Sequence, residues 1–115
     1  MESEFIIKTS GLPAESTDSF LSLTEQERAV ILDKADTFAV NASDDDTRYT
    51  TVEAMQVAGK MYSQLSPEAK ASIPFHVFAN SIFGSSVDKV DELNEWIKEN
   101  KENKNVTIET INSKL

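Results

Sequence analysis

Apolar residues recur along most of this chain at helical spacing, and the polar breaks between them carry helix-start signals. Thr24 and Glu27 have the spacing of a capping box, in which side chain and backbone of the two residues bond reciprocally. Beyond them Ile31, Leu32, Ala35, Phe38 and Ala39 fall on one face, which predicts a helix ending near Asn41. Residues 43 to 47 read as a loop. Thr50 and Glu53 repeat the capping box ahead of Met55, Ala58, Gly59, Tyr62 and Leu65, and Gly59 predicts close packing on that face. In Ser66-Pro67-Glu68 the serine suits an N-cap, the proline the first helical turn, and the carboxylate the helix dipole. Pro74 forces its predecessor out of helical geometry, so a short helix over 67–72 and a separate one from 74 to Phe83 are expected, with Gly84 as its C-cap. Ser85 or Ser86 then starts a helix with a Val90, Leu93, Ile97 stripe, followed by a polar run over 98–103 that reads as solvated.

The two ends read differently. Residues 4 to 9, with Phe5-Ile6-Ile7, suggest a short strand stopped by the turn-forming Ser10-Gly11-Leu12-Pro13. Val106, Ile108 and Thr110 alternate with Thr107 and Glu109, as a second short strand would. The expected fold is therefore mainly α, one domain built as a small bundle of four to five helices, with room for a two-stranded sheet pairing the N- and C-terminal segments. Residues 74–83 stand apart, because Phe75, Val77, Phe78, Ala79, Ile82 and Phe83 leave only His76, Asn80 and Ser81 polar after the proline. An apolar surface that broad suits a helix at the centre of the bundle, or one that self-associates.

Charge changes the picture more than composition does. The formal net charge is −9, and residues 1 to 46 carry −8 of it, with eleven carboxylates against Lys8, Arg28 and Lys34. Residues 47–84 come to +1 and residues 85–115 to −2. An acidic front of this kind disfavours direct nucleic-acid binding, which rests on Lys and Arg displacing counterions, and disfavours anionic membrane surfaces for the same reason. The beginning Met-Glu-Ser-Glu shows no basic and apolar signal pattern, so a cytoplasmic location is expected, and the Asn41 and Asn105 glycosylation triplets read as chance.

Candidate chemistry is sparse. With no cysteine in the chain, thiol nucleophiles, thiolate zinc sites and disulfides are excluded. Asp44-Asp45-Asp46 lacks the alternation of a calcium loop: with Glu53 at the last position, Ala42 falls at the first and Thr47 where the turn glycine belongs. His76 is the only histidine, and no carboxylate lies between Glu68 and Asp88 to serve it locally as a partner. Gly11, Gly59 and Gly84 form no phosphate-binding loop, and no serine sits in a Gly-x-Ser-x-Gly turn. No cofactor, metal or catalytic residue is expected. The stretch from Phe5 to Pro13 resembles the first strand and turn of an RNA-recognition motif, but the Lys/Arg-Gly-aromatic signature that stacks bases is missing, and the family's binding role is not carried over.

What remains is surface charge and apolar stripes, which point to a non-catalytic protein that binds another protein as an adaptor, an assembly chaperone or an inhibitor. The expected partner presents a basic surface, and the expected contacts are Glu15, Asp18, Glu25, Asp33, Asp36, Asp44, Asp45 and Asp46. A DNA-mimic inhibitor, with carboxylates standing in for phosphates, is the alternative, and a small enzyme using His76 the more remote one.

Overall fold

The computed structural model describes residues 14–46 and 48–115, with side chains from Asp18 onward. Among these residues the chain forms seven helices and no strand: α1 (Ala14–Leu21), α2 (Glu25–Ala42), α3 (Thr51–Ser63), α4 (Pro67–Ser72), α5 (Phe75–Phe83), α6 (Val87–Glu99) and α7 (Ile108–Ser113). The mainly helical class is as expected, but the helix count exceeds four to five and the C-terminal strand is absent. The strand expected over 4–9 lies outside the described residues.

Two helices account for the difference. α1 carries few apolar residues among Ser, Thr and acidic side chains, a composition with little intrinsic helical preference. Tertiary contact supplies what propensity lacks: Phe20 is fully buried and α1 packs against α5. Its C-terminal end is also tied to α2, where the Arg28 guanidinium donates from Nη1 to the carbonyls of Leu21 (3.1 Å) and Leu23 (2.6 Å).

At the other end, the apparent alternation of Val106, Ile108 and Thr110 is a helix start. Thr107 is the N-cap, its hydroxyl accepting from the Thr110 amide at 3.2 Å while the Thr110 hydroxyl accepts from the Thr107 amide at 3.4 Å. Val106 just before the cap and Ile111 four residues after it are both buried, the arrangement of a hydrophobic staple. The Ile111 amide donates to the Thr107 carbonyl at 3.0 Å, the bond of a helical turn, which a strand does not make.

The remaining starts form where the caps predict them. Thr24 and Glu27 bond reciprocally at 3.1 and 2.9 Å, Thr50 and Glu53 at 3.2 and 3.3 Å, and Ser86 opens α6 by accepting from the Lys89 amide at 3.3 Å. Ser66 caps α4 through the Ala69 amide (3.1 Å) and donates to the carbonyl of Asn103 (2.9 Å), which pins the α6–α7 connection against the start of α4. The polar run is accordingly only partly solvated: Lys98, Glu99, Lys101 and Glu102 are exposed, whereas Asn100 and Asn103 are half-buried. Gly84 follows α5 as its C-cap, but with φ of −85° it is not in the left-handed conformation that would demand glycine.

α5 is the central element. It packs against α1, α2, α3 and α7, and Phe75, Phe78, Ala79, Ile82 and Phe83 are buried on several sides of it. Tyr62 of α3 meets Phe75 edge-on at 5.5 Å and Phe78 at 5.6 Å, and Phe38 of α2 meets Phe83 at 5.7 Å. With α5 spent on the core, α2, α3 and α6 are left to frame the outer surface, and α2 packs directly on both of the others.

Candidate protein-binding surface

The three framing helices do not close fully on one another. A cleft of about 80 Å³ opens where Phe38, Ala39 and Ala42 of α2 meet Ala54 and Val57 of α3 and Val87, Val90 and Asp91 of α6, with Tyr49 of the α2–α3 loop as the remaining wall. Local hydrogen bonding sets this wall. The Ser43 hydroxyl donates to the Ala39 carbonyl at 2.8 Å and accepts from the Tyr49 amide at 3.0 Å, drawing the far side of the loop back onto the last turn of α2. The Thr50 capping box then starts α3, and the Thr51 hydroxyl reaches back to the Asp36 carboxylate at 3.1 Å. Below, the contact of Phe38 with Phe83 fixes one side of the cleft to the central helix.

Tyr49 is shared with a second, shallower depression lined by Val40, Ser43, Asp44, Asp45 and Arg48. Val40 (65% exposed) and Tyr49 (39%) are two of three large hydrophobic residues left exposed among the described residues, the third being Val30. Asp44 shapes the loop by accepting the Asp46 amide at 2.9 Å, as Asp does in turns. This end of the molecule thus combines apolar walls, one half-exposed aromatic ring and several carboxylates.

Of the carboxylates expected at a binding surface, Asp18, Glu25, Asp33, Asp36, Asp44, Asp45 and Asp46 are exposed, and Glu15 lies in α1 with its side chain outside the described ones. They do not gather at one point. Glu25 opens α2 and Asp44 follows its end, so the 18-residue helix holds them on the order of 25 Å apart. Glu25, Asp33 and Asp36 share one side of α2 by helical spacing, away from the buried Ile31, Ala35, Phe38 and Ala39. Only Asp44 and Asp45 border the apolar surface. Asp91, inside the cleft, and the apolar walls Tyr49, Val57 and Val87 were not read from the sequence. The available signal was the placing of Val40 and Tyr49 on either side of an acidic loop.

His76 faces a separate depression with Leu23, Glu27, Val30, Ile31 and Asn80. Its buried Nδ1 and the buried Oδ1 of Asn80 have no hydrogen-bond partner. Glu27, the carboxylate on that depression, is committed to the α2 cap: the Thr24 backbone amide, then the Thr24 hydroxyl, hold its pKa below the ordinary glutamate range, and His76 adds a smaller effect in the same direction. No serine, threonine or lysine lines the depression. Among the described residues no group of three or more His, Asp or Glu side chains converges as metal ligands, and no helix is long and apolar enough to cross a membrane.

Comparison of the chain with protein-family models, curated proteins and solved structures found no match.

Proposed function

We propose that this chain is a non-catalytic cytoplasmic protein that works by binding another protein with a basic surface, as an adaptor, an assembly chaperone or an inhibitor. The observation that carries the reading is the asymmetry of charge: residues 1–46 hold −8 of a net −9, and their described carboxylates from Asp18 through Asp46 stand exposed, Glu27 apart as a helix cap. A concentrated field of one sign speeds encounter with a surface of the other. By contrast, α6 offsets part of its own charge through the pairs Lys89–Glu92 (3.5 Å) and Lys98–Glu95 (3.3 Å).

Affinity capture from the native host, followed by association kinetics with the captured protein, tests the reading. Association should slow markedly as salt rises through about 0.1 M, where charges beyond roughly 10 Å are screened. Replacing Asp33 and Asp36 with Asn should reproduce part of the loss with the fold intact. A rate indifferent to salt and to both substitutions would leave the acidic front without a binding role. The row of Glu25, Asp33 and Asp36 on α2 supports the DNA-mimic form of the same idea, which predicts that double-stranded DNA competes for the captured partner.

A further inference from the structure

The cleft beside Tyr49 has a chemistry that the acidic front alone does not explain. Its walls are largely apolar, and the single acidic side chain reaching it is the exposed Asp91. A space of about 80 Å³ is several times what one water needs, yet too small for a helix or a drug-sized molecule. It has room for one aliphatic side chain. Beyond Tyr49 the surface continues into the depression bearing Asp44 and Asp45, where Arg48 is the one cation.

We infer that the cleft seats a single leucine, isoleucine or methionine side chain from a short lysine- and arginine-rich segment of a partner protein, with the segment's cations lying toward Asp91 and the Asp44–Asp45 side of Tyr49. The inference rests on the proposed basic partner and adds the form of its contact. Charge complementarity selects the occupant. A second copy of the chain would bring another −9 to an acidic rim, and nucleic acid or an anionic membrane would bring phosphate to the same place. A basic segment gains from the rim, and its aliphatic anchor gains from leaving water for a pocket walled by Phe38, Val57 and Val90. Tyr49, half exposed, is placed to cover the anchor's open side.

The test uses the full chain, with methyl and aromatic groups observed by NMR, titrated with twelve-residue peptides of alternating lysine and serine that carry one central leucine, isoleucine or methionine. Shifts should centre on Val57, Val87, Val90 and Tyr49. Replacing the anchor by serine should weaken binding at least about tenfold, as the loss of one buried aliphatic side chain does. Ala42→Leu, which fills the cleft from the end of α2, should weaken the anchored peptides similarly while the unfolding midpoint holds or rises. Asp91→Asn should weaken them and flatten the salt dependence. Equal binding of anchored and serine peptides, with salt dependence intact, overturns the cleft while the acidic front stands. Cleft shifts that ignore salt overturn the basic partner and the reading beneath it. Absence of cleft shifts with all three peptides at millimolar concentration, or a concentration-dependent dimer abolished by Ala42→Leu, overturns the inference outright.

Discussion

The hydroxyl of Tyr62 lies 2.6 Å from the carbonyl oxygen of Ile73 and 3.0 Å from that of Lys70, so the one hydroxyl proton of an α3 side chain is shared between two backbone acceptors at the end of α4, with the shorter bond to Ile73. Those carbonyls need a partner. The Ile73 amide makes the last bond of α4, to the Ala69 carbonyl at 2.9 Å, and Pro74, which has no amide proton, leaves the Lys70 carbonyl without an intrahelical donor. The same tyrosine packs on Phe75 and Phe78, so one residue joins the break between α4 and α5 to the core behind it.

Tyr62→Phe removes only the oxygen and should leave the ring contacts in place. The buried Ile73 carbonyl then loses its donor, and unfolding in urea should show a loss of about 1–2 kcal/mol with an unchanged slope. An unaltered midpoint would mean that water replaces the hydroxyl at no cost.

The break at Pro74 was legible in the sequence because proline acts locally, through its ring and its missing donor. So were the starts at Thr24, Thr50 and Ser66, whose hydrogen bonds close within three residues of the cap, and, between the two candidates Ser85 and Ser86, the start that the structure places at Ser86. α1 was not legible, since Phe20 is held by a helix more than fifty residues further on, and a nonlocal contact leaves no periodicity behind. At Val106–Ile111 the information was present but shared: a two-residue alternation and a staple around a Thr cap use the same letters, and the bond from the Ile111 amide to the Thr107 carbonyl decides between them. The cleft was hidden for a similar reason, because Val57 and Val87 each continue an ordinary helical stripe and become walls only where α2, α3 and α6 fail to close.

Phe78 is the most demanding position in the core. It is 0% exposed, lies on the helix that four others surround, and contacts Tyr62 at 5.6 Å. Phe78→Ala should cost about 3–5 kcal/mol, the range for large-to-small changes that leave a cavity. Chemical denaturation measures it directly. An undiminished stability would show that α5 is not packed as described.

The C-terminal helix offers a sharper contrast between two substitutions. Thr107→Ala deletes the cap hydroxyl and should lower stability by about 1 kcal/mol, whereas Thr107→Asn preserves a capping side chain and should lose far less. Val106→Ser removes the staple and should cost more than either, because that side chain is 2% exposed. A strand would reverse the order of the two substitutions at 107, since Asn is more strongly disfavoured in strands than Ala. Hydrogen exchange at Ile111, whose amide donates to the Thr107 carbonyl at 3.0 Å, should report the loss locally in each case.

Glu27 links the start of α2 to pH. Its carboxylate accepts from the Thr24 amide at 2.9 Å, and that bond, followed by the Thr24 hydroxyl, holds its pKa below the ordinary glutamate range. A group whose folded pKa is depressed contributes stability that is fully present above its unfolded pKa and is lost as pH falls through the folded one. The cap should therefore be intact at neutral pH and weaken only on acidification below the ordinary glutamate range, with the first turn of α2 fraying before the core unfolds. An NMR titration of the Glu27 side chain should place its midpoint below the ordinary glutamate range. Thr24→Ala removes the accepting hydroxyl of the box but leaves the backbone amide, so the midpoint should move only part of the way back. Thr24→Pro removes the amide proton as well and should move it further. A Glu27 that titrates in the ordinary glutamate range in the unaltered protein would show that the reciprocal bond does not persist in solution, and α2 would then start without the carboxylate half of its cap.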